Sequence, residues 1–414
     1  MAGVMVIVMR IWMAVAATSQ ATSVEYINGR WLEAGAFRDM TVWVVDGRFS
    51  LSRPARVDSV VDLAGGFALP PFGDAHTHVV GDGRTFAQDI ERLLADGIFY
   101  IRNTNSTHRR TAEARALVNL PTSVDARFAF GGLTSPGGHP AFIYNYGVRR
   151  GAWPGWTQAQ LDGEAFYTLR DSADLERRWP EILRTRPDFL KLYLEGAERH
   201  GTDAPGPRGL DPALIPLISR RAYAAGLETT AHVTSAFDVR TAVNAGVQEI
   251  THLPLERLAD SDVALLRARR TRVVTTVTSH RPGGTGPAMD SVHADNLRRL
   301  HAAGVHLAIG TDNGNVPVVL EADAVCRLGV MSNAELLAVW TYGTVRTIFP
   351  GRSAGLVADG FEASFIVLDG DPIADFANVR RIRMRVKQGV QLPGLPPASD
   401  PARTPPRTCA APQP

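Results

Sequence analysis

Cysteine and lysine are both scarce in this 414-residue sequence. Its only cysteines, Cys326 and Cys409, lie far apart in the chain, which excludes a framework of several disulfides and a cysteine-based zinc site, and leaves the redox compartment open. Only two of the 44 basic residues are lysines, Lys191 and Lys387. Nearly every surface cation is therefore an arginine, and each lysine calls for an explanation.

An excess of charge of either sign is also absent. The chain has 44 basic and 42 acidic residues, and no stretch combines positive charge with interleaved aromatics, so we do not expect nucleic acid as a partner. A composition of 45% hydrophobic residues with 38 Gly and 27 Pro predicts a soluble globular protein with many turns. The length favours one large domain with an accessory one. A homo-oligomer is left open.

The two ends of the chain differ from the rest. Residues 1–21 are apolar with one charge and end in small residues, which predicts an export signal and a periplasmic or secreted protein without membrane contact after its removal. The alternative, an apolar extension or a wrongly assigned start, would leave the protein cytoplasmic. Residues 393–414 include eight prolines and lack apolar periodicity, which predicts a disordered tail outside the fold.

Short apolar runs alternate with segments of helical period between residues 67 and 349, which favours βα units on a parallel sheet. Eight runs predict strands, at 67–75, 99–102, 126–130, 189–194, 228–231, 248–251, 273–277 and 306–310. Eight such units indicate an α/β fold of the (β/α)₈ TIM-barrel type. Residues 22–66 and 350–392 contain short alternating strands and turn signals, and we expect them to pair into a small flanking β-sandwich-like domain.

Polar side chains close several of the predicted strands. The first run ends in His76-Thr77-His78, and residues two apart on a strand point to the same side. His232, His252 and Asp312 each close a later apolar run. Because the carboxyl ends of barrel strands form the active face, these side chains would converge on one opening. The pattern predicts a metal site.

Lys191 lies within an apolar strand, Asp188-Phe-Leu-Lys-Leu-Tyr-Leu194, where a cation needs neutralisation. Burial lowers the pKa of a lysine, and the neutral amine can add carbon dioxide to form a carbamate whose two oxygens can bridge two cations. Arginine cannot react in this way because its guanidinium stays protonated. The alternative is a charged Lys191 paired with Asp312 beside a single metal.

Taken together, Phe72-Gly-Asp-Ala-His-Thr-His78, Lys191, His232, His252 and Gly310-Thr-Asp312 resemble the amidohydrolase superfamily of metal-dependent hydrolases. The resemblance is to the two-metal branch with a carboxylated lysine, which includes imidazolonepropionase-like and prolidase-like enzymes. It runs from about residue 24 to residue 391 and includes the flanking domain.

The resemblance implies a ligand set for two divalent ions. His76, His78 and Asp312 would hold the more buried ion, His232 and His252 the more exposed one, and the carbamate of Lys191 would bridge them. The ions are expected to be zinc, although imidazole and carboxylate ligands accept other divalent metals as well.

The resemblance also implies a reaction. A metal-bridging hydroxide would attack the amide or ester carbonyl of a small molecule, such as an N-acyl amino acid, a dipeptide or a cyclic amide, while Asp312 transfers the proton. Gly137-Gly-His139 is similar to the substrate-facing Gly-Gly-His of the dipeptide-cleaving branch, although Pro140 follows it here. His139 and Tyr193 are therefore the candidate substrate-binding residues, for an oxyanion or a carboxylate.

Other functions remain open at this point. A single-metal deaminase or chlorohydrolase would use His76, His78, His232 and Asp312 with an unmodified Lys191, and a lactonase would use the same centre on a cyclic ester. A catalytically inactive binding protein would retain the ligands without hydrolysis.

Overall fold

The structure of the protein is a computed structural model. It describes residues 22–81, 85–151, 153, 155–202, 206, 208–280, 287–314, 316–392, 394–399 and 405–409, without the side chain of residue 280. The predicted signal segment, residues 1–21, lies outside the described residues, so its export function stays a prediction. Within the described ranges, every helix is too short or too polar to cross a membrane.

The strands, in chain order, are β1 (Ser23–Glu33), β2 (Ala36–Val45), β3 (Arg48–Ser50), β4 (Ser59–Asp62), β5 (Phe67–Leu69), β6 (Phe72–Thr77), β7 (Ile98–Asn103), β8 (Asp125–Phe128), β9 (Gly132–Thr134), β10 (Phe166–Thr168), β11 (Phe189–Tyr193), β12 (Glu228–His232), β13 (Glu249–Thr251), β14 (Arg272–Val274), β15 (Leu307–Ala308), β16 (Phe365–Leu368), β17 (Ile382–Lys387) and β18 (Val390–Gln391). The α-helices are α1 (Phe86–Ala95), α2 (His108–Thr111), α3 (Ala141–Arg149), α4 (Gln158–Leu161), α5 (Ser172–Arg184), α6 (Ile215–Ala224), α7 (Ala236–Asn244), α8 (Asp260–Arg269), α9 (Pro287–Ala302), α10 (Val319–Arg327), α11 (Asn333–Ala338) and α12 (Thr344–Ile348). Short 3₁₀ turns occur at Ala112–Ala116, Ala197–Arg199, Val277–His280 and Phe376–Arg380, and a π-helical turn occurs at Val339–Gly343.

The flanking sheet contains strands from both ends of the chain. Its order is β18-β17-β16-β5-β1-β2-β3, and β4 pairs with β1. Alternating apolar residues of β1 and β16 face a core of its own, in which the rings of Trp31 and Phe365 lie 4.9 Å apart. This packing joins the two chain ends in one layer.

The parallel strands form two ladders, one with the order β6-β7-β8 and one with the order β10-β9-β11-β12-β13-β14-β15. All neighbours in both ladders run parallel, so the α/β prediction is confirmed. Strand pairing does not join the two ladders within the described ranges. Backbone hydrogen bonds bring their ends together instead, from Ala75 N to Ile309 O at 2.9 Å and from Asp312 N to His76 O at 2.7 Å.

The predicted strand set needs two corrections. The run at 67–75 is two strands, β5 in the flanking sheet and β6 in the parallel one, because Pro70 and Pro71 separate them and lack the N–H groups that a continuous ladder needs. The segment between the predicted strands 126–130 and 189–194 contains no predicted strand, but it contributes β9 and β10 to the larger ladder. β9 and β10 have only three residues each, which is too short for an alternating apolar pattern, so the sequence gives only a weak signal for these strands.

Helices pack around the parallel strands, and several begin at side-chain caps. Asp171 accepts a hydrogen bond from Asp174 N at the start of α5, and Ser235 and Asp238 form a capping box at the start of α7. Trp340 in the π-helical turn stacks on Phe72, with ring centroids 3.8 Å apart. That contact fixes the start of β6, the strand that ends in the His-Thr-His motif.

The C-terminal segment differs from its predicted state. Residues 405–409 pack on the α/β body, where Cys409 is buried and forms a disulfide with Cys326 of α10. Cys409 N also donates to Asn333 Oδ1 at 2.7 Å, and Phe376 N donates to Arg407 O at 2.7 Å. The expectation of a tail outside the fold is therefore wrong for these residues. The prediction of disorder used composition and the lack of apolar periodicity alone. It did not take account of the disulfide, which anchors these residues covalently to the α/β body.

Candidate metal centre

A cavity of about 590 Å³ lies at the carboxyl ends of the parallel strands. Its lining consists of His76, His78, Val79, Gly81, Thr85, Asp89, Asn105, Ser106, His139, Pro140, Ile143, Tyr144, Trp153, Lys191, Tyr193, His232, Asp312 and Gly314. Seven of the eight predicted site residues are in this set. The eighth, His252, is buried behind the lining, and its ring centroid lies 4.2 Å from that of His232. The structure thus brings together every site residue that the sequence predicted.

Two histidines of β6 and its end converge on one carboxylate. The Nε2 atoms of His76 and His78 both lie 3.0 Å from Asp312 Oδ1, and His252 Nδ1 lies 3.9 Å from Asp312 Oδ2. His78 Nδ1 lies 3.0 Å from the carbonyl oxygen of Asn105, and its Nε2 forms a hydrogen bond with Asp312. Burial acts to lower the pKa of His78, but the contact with Asp312 raises it above its usual value, so in the metal-free protein His78 and Asp312 form an ion pair that a cation would replace.

The electrostatics of this group suit a cation. Burial, reinforced by the charge of Lys191, lowers the pKa of His76 to about 3, so this imidazole is neutral. Burial acts to raise the pKa of Asp312, but the nearby His76 and His252 hold it well below its usual range. A neutral imidazole beside an ionised carboxylate is the protonation state that metal binding requires.

Lys191 projects into the same cavity from the middle of β11 and is 1% exposed. Its Nζ donates to Thr251 Oγ1 at 2.9 Å and lies 5.3 Å from the ring centre of Tyr193. Burial lowers the pKa of Lys191 to about 7. Among the described residues, no carboxylate oxygen lies within ion-pair distance of Nζ, so the alternative Lys191–Asp312 salt bridge does not form.

Asp74 fixes the strand that carries the histidines. Asp74 accepts hydrogen bonds from His76 N at 3.1 Å and from Thr311 N at 3.1 Å, and its other oxygen accepts from Thr311 Oγ1 at 2.7 Å. Gly310 allows this close approach, since a Cβ atom there would lie 2.6 Å from Val274 and 2.8 Å from His76. The Gly-Thr-Asp segment therefore packs directly on the His-Thr-His strand.

A second support lies behind His252. His252 Nδ1 lies 2.6 Å from Thr276 Oγ1, and both residues have left-handed backbone angles, with φ of 78° and 49°. Glu321 holds the segment around Thr276 by accepting hydrogen bonds from the hydroxyls of Thr275 and Thr278 and from the amides of Val277 and Thr278. Left-handed residues at a strand end are typical of functional sites, and Asp312 is a third example, with φ of 54°.

Donor atoms that could hold a metal fall into two groups. One contains His76, His252 and Asp312, and the other contains His139, Glu195 and His232. This grouping differs from the predicted division, which paired His232 with His252. Within the described part of the chain, His76 Nδ1 and His232 Nε2 are buried and have no hydrogen-bond partner, which fits a site built for a further ligand.

The predicted substrate residues line the cavity together. The ring centroids of His139 and Tyr193 are 4.8 Å apart, and the His139 ring stacks on His232 at 4.5 Å. Tyr144 adds a buried aromatic wall and donates to Asn105 Oδ1. The sequence analysis did not single out Glu195, Asn105 or Glu321. Glu195 directly follows the predicted strand 189–194, so its position at a strand end was a usable signal, whereas Asn105 and Glu321 have no such position.

Comparison with known proteins identifies the family. The amidohydrolase family model matches residues 67–392. The chain belongs to the amidohydrolase family. As a member it is a hydrolase that acts on carbon–nitrogen bonds, and the ligand-like groups of the cavity agree with the metal dependence of that family.

Individual relatives are more distant. An uncharacterized protein of Mycobacterium tuberculosis (strain ATCC 25618 / H37Rv) is 28% identical over 286 residues, which is 68% of this chain and 70% of its own. The crystal structure of ochratoxinase from A. niger superposes with a TM-score of 0.73 at 18% identity, covering 92% of this chain and 99% of its own. A Xaa-Pro dipeptidase with bound methionine superposes with a TM-score of 0.73 at 16% identity, covering 90% of this chain and 100% of its own. These structures share the TIM-barrel type of α/β fold with a flanking domain.

Proposed function

We propose that this amidohydrolase cleaves the carbonyl–nitrogen bond of a small molecule with the help of two divalent ions, zinc being the first candidate. The substrate would be an N-acyl amino acid, a dipeptide or a cyclic amide, held at the open end of a closed (β/α)₈ barrel. One observation carries the proposal, namely that two imidazole nitrogens lie 3.0 Å from one oxygen of Asp312 in a cavity that also contains an unneutralised Lys191.

The described side chains fit two ions. His76, His78 and Asp312 would hold one of them, and His232 and His252 the other, with Lys191 between. When bound, two divalent cations lower the pKa of a shared water and polarise the carbonyl of the substrate. The buried His76 Nδ1 atom, which lacks a hydrogen-bond partner within the described ranges, supports this use of the site.

Lys191 would contribute as a carbamate. Its lowered pKa, about 7, leaves a substantial fraction of the amine neutral at neutral pH. The nitrogen lone pair then forms a bond to the carbon of carbon dioxide, one N–H proton is released to solvent, and the product carries one negative charge on two oxygens. This converts a buried cation into an anionic ligand.

Asp312 and the aromatic wall would handle the substrate. Asp312, ionised and next to both histidines of the motif, can take a proton from water and return it to the leaving nitrogen. His139 and Tyr193 would orient the carbonyl or a neighbouring carboxylate, and Tyr144 and Trp153 would cover apolar parts of the substrate and exclude water.

Metal content and substrate turnover test this proposal. We expect the purified chain to bind two zinc ions at the histidine and Asp312 ligands, to show the mass of one added carbon dioxide on Lys191, and to hydrolyse members of a panel of N-acyl amino acids, dipeptides and cyclic amides. A single ion with unmodified Lys191 would favour the deaminase or chlorohydrolase alternative. Turnover of lactones alone would favour a lactonase, and intact metal binding without turnover would indicate a binding protein.

We further propose that the protein works in an oxidising compartment. The buried Cys326–Cys409 disulfide supports export, because such bonds persist outside the reducing cytoplasm. Thiol counting on protein isolated from its native host should find no free cysteine without reductant. Two free thiols in that preparation would contradict export.

A further inference from the structure

The second group of candidate metal ligands includes two residues that the proposed two-ion centre does not use. His139 Nδ1 lies 3.2 Å from Glu195 Oε2, and His232 Nε2 lies 3.6 Å from the same oxygen. The three donor atoms all lie within 4.8 Å of one another. They come from three separate segments, since His139 follows β9, Glu195 follows β11 and His232 ends β12.

A hydrogen bond does not explain the His232 side of this group. A distance of 3.6 Å is too long for one, and the Nε2 atom is buried and has no hydrogen-bond partner within the described ranges. The side chain of His232 is only 8% exposed, so bulk water does not solvate this nitrogen.

The spacing fits a metal ion better. Ligand atoms that lie about 2.1 Å from a tetrahedral zinc ion are about 3.4 Å from each other. The two distances from Glu195 Oε2, 3.2 and 3.6 Å, lie on either side of that value.

We propose that His139, Glu195 and His232 bind a divalent cation in the wall of the cavity, an ion we call the outer cation. The inference rests on the proposed function in one respect, because His232 belongs to both ligand sets. A neutral imidazole offers one lone pair, so His232 would bind the outer cation through Nε2 and the two-ion centre through Nδ1 only as the imidazolate, with its ring N–H proton released to solvent on metal binding. His139 then acts as a metal ligand in addition to lining the substrate cavity.

The outer cation also specifies the substrate class. Three protein ligands leave a fourth tetrahedral position for an exchangeable ligand. His139 and His232 both line the cavity, so this position is accessible to a bound substrate. A carboxylate next to the scissile bond, as in an N-acyl amino acid or a dipeptide, would fill it.

Zinc binding to the full chain tests the outer cation without any need for turnover. Metal-free protein is titrated with zinc against a chromophoric chelator, and the bound equivalents are counted by elemental analysis after gel filtration. Four chains are compared: the wild type, Glu195→Gln, Glu198→Gln and Asp312→Asn. Glu198→Gln is the matched control, because this carboxylate lies three residues away and pairs with Arg199.

We expect Glu195→Gln to bind one equivalent fewer than the wild type, and Glu198→Gln to bind the same number. His139→Asn should lose the same equivalent, which keeps the test valid if Glu195→Gln folds poorly by circular dichroism. An unchanged count in Glu195→Gln and His139→Asn, with zinc affinities within twofold of the wild type, would overturn the inference.

Asp312→Asn separates this inference from the proposed function. If both proposals hold, Asp312→Asn loses an ion of the two-ion centre and keeps the outer cation. Glu195→Gln then loses the outer cation and keeps the two-ion centre. If Asp312→Asn binds as many ions as the wild type while Glu195→Gln loses one, the two-ion centre fails and the outer cation stands. If instead Asp312→Asn loses an ion while Glu195→Gln binds as many as the wild type, the outer cation is refuted and the proposed function stands.

Discussion

The two lysines of the chain are both buried, but they lie in contrasting surroundings. Lys387, in β17, is 0% exposed and has two hydrogen-bond partners, with Nζ 2.7 Å from Asp125 Oδ1 and 2.6 Å from Leu120 O. Arg352 adds a second cation 2.7 Å from the other oxygen of Asp125. Lys191 is 1% exposed, and among the described residues its Nζ has one hydrogen-bond partner, the hydroxyl of Thr251.

This contrast separates a structural cation from a reactive amine. Burial lowers the pKa of both lysines, but at Lys387 the Asp125 carboxylate opposes the effect at hydrogen-bond distance. At Lys191 the pKa falls to about 7, since the charges of Asp312 and Glu249 compensate burial only in part. A protein keeps an unneutralised buried amine at a cost, which is justified where the amine reacts.

Exchanging each lysine for arginine would test this distinction most strongly. Lys191→Arg keeps a long basic side chain but cannot form a carbamate, so we expect kcat/KM to fall by about 10³-fold or more, equivalent to losing about 4 kcal/mol of metal-assisted stabilisation. Lys387→Arg should change kcat/KM by less than about threefold, because a guanidinium can also pair with Asp125. Steady-state kinetics on a responsive amide measures both. Near-normal activity of Lys191→Arg with two bound metals would refute the bridging role.

Removing each amine should reverse the order of effects on stability. Lys387→Met leaves Asp125 with Arg352 alone, and breaking a buried ion pair costs about 3 kcal/mol. Lys191→Met loses one hydrogen bond but also relieves the burial of a charge, so near neutral pH we expect the free energy of unfolding to stay the same or to rise. Urea denaturation of metal-free protein compares the two. Equal destabilisation by both variants would remove the distinction.

The sequence predicted much of the Lys191 side of the molecule. His76, His78, His232, His252 and Asp312 close apolar strands, and the fold rule that strand ends share one face is enough to bring them together. The lysine stands out because this chain otherwise uses arginine.

Other features were missed, for different reasons. Glu195 reaches His139 only because β9 lies beside β11, a pairing of short strands that no periodicity reveals. The position of Cys409 depends on a contact with Cys326, 83 residues away in sequence. The split of the predicted strand at Pro70-Pro71 was readable from the two prolines, whose missing N–H groups interrupt a ladder.

Buried carboxylates sharpen the same comparison. Asp125, beside Lys387, pairs with two cations. Glu321, near the metal centre, accepts four hydrogen bonds from neutral donors around Thr276, and burial raises its pKa. In Glu321→Gln an amide N–H₂ group would face two of those donors, and two donors repel each other. The segment around Thr276 would therefore shift, and with it the hydroxyl that contacts His252 Nδ1. We expect zinc affinity to fall by about 10- to 100-fold.

Competition with a chelator measures that affinity, and Glu335→Gln, whose carboxylate caps α11 at Ser332, is the matched control. A zinc affinity for Glu321→Gln equal to that of the control would show that Glu321 supports the fold alone.

The lowered pKa of Lys191 also predicts a pH dependence of stability. The pKa of Lys191 is about 7 in the folded metal-free protein and 10.5 when unfolded, so between these values the unfolded chain binds more protons. The free energy of unfolding should therefore rise with pH across this window, by at most about 1.4 kcal/mol per pH unit. Urea denaturation of the wild type at pH 7.5, 8.5 and 9.5, each relative to Lys191→Met, isolates this contribution because methionine does not titrate. The difference between the two chains should shift in favour of the wild type as the pH rises. A constant difference would mean that Lys191 stays protonated in the folded state, as a structural cation like Lys387 would, and the amine would then be unavailable to carbon dioxide.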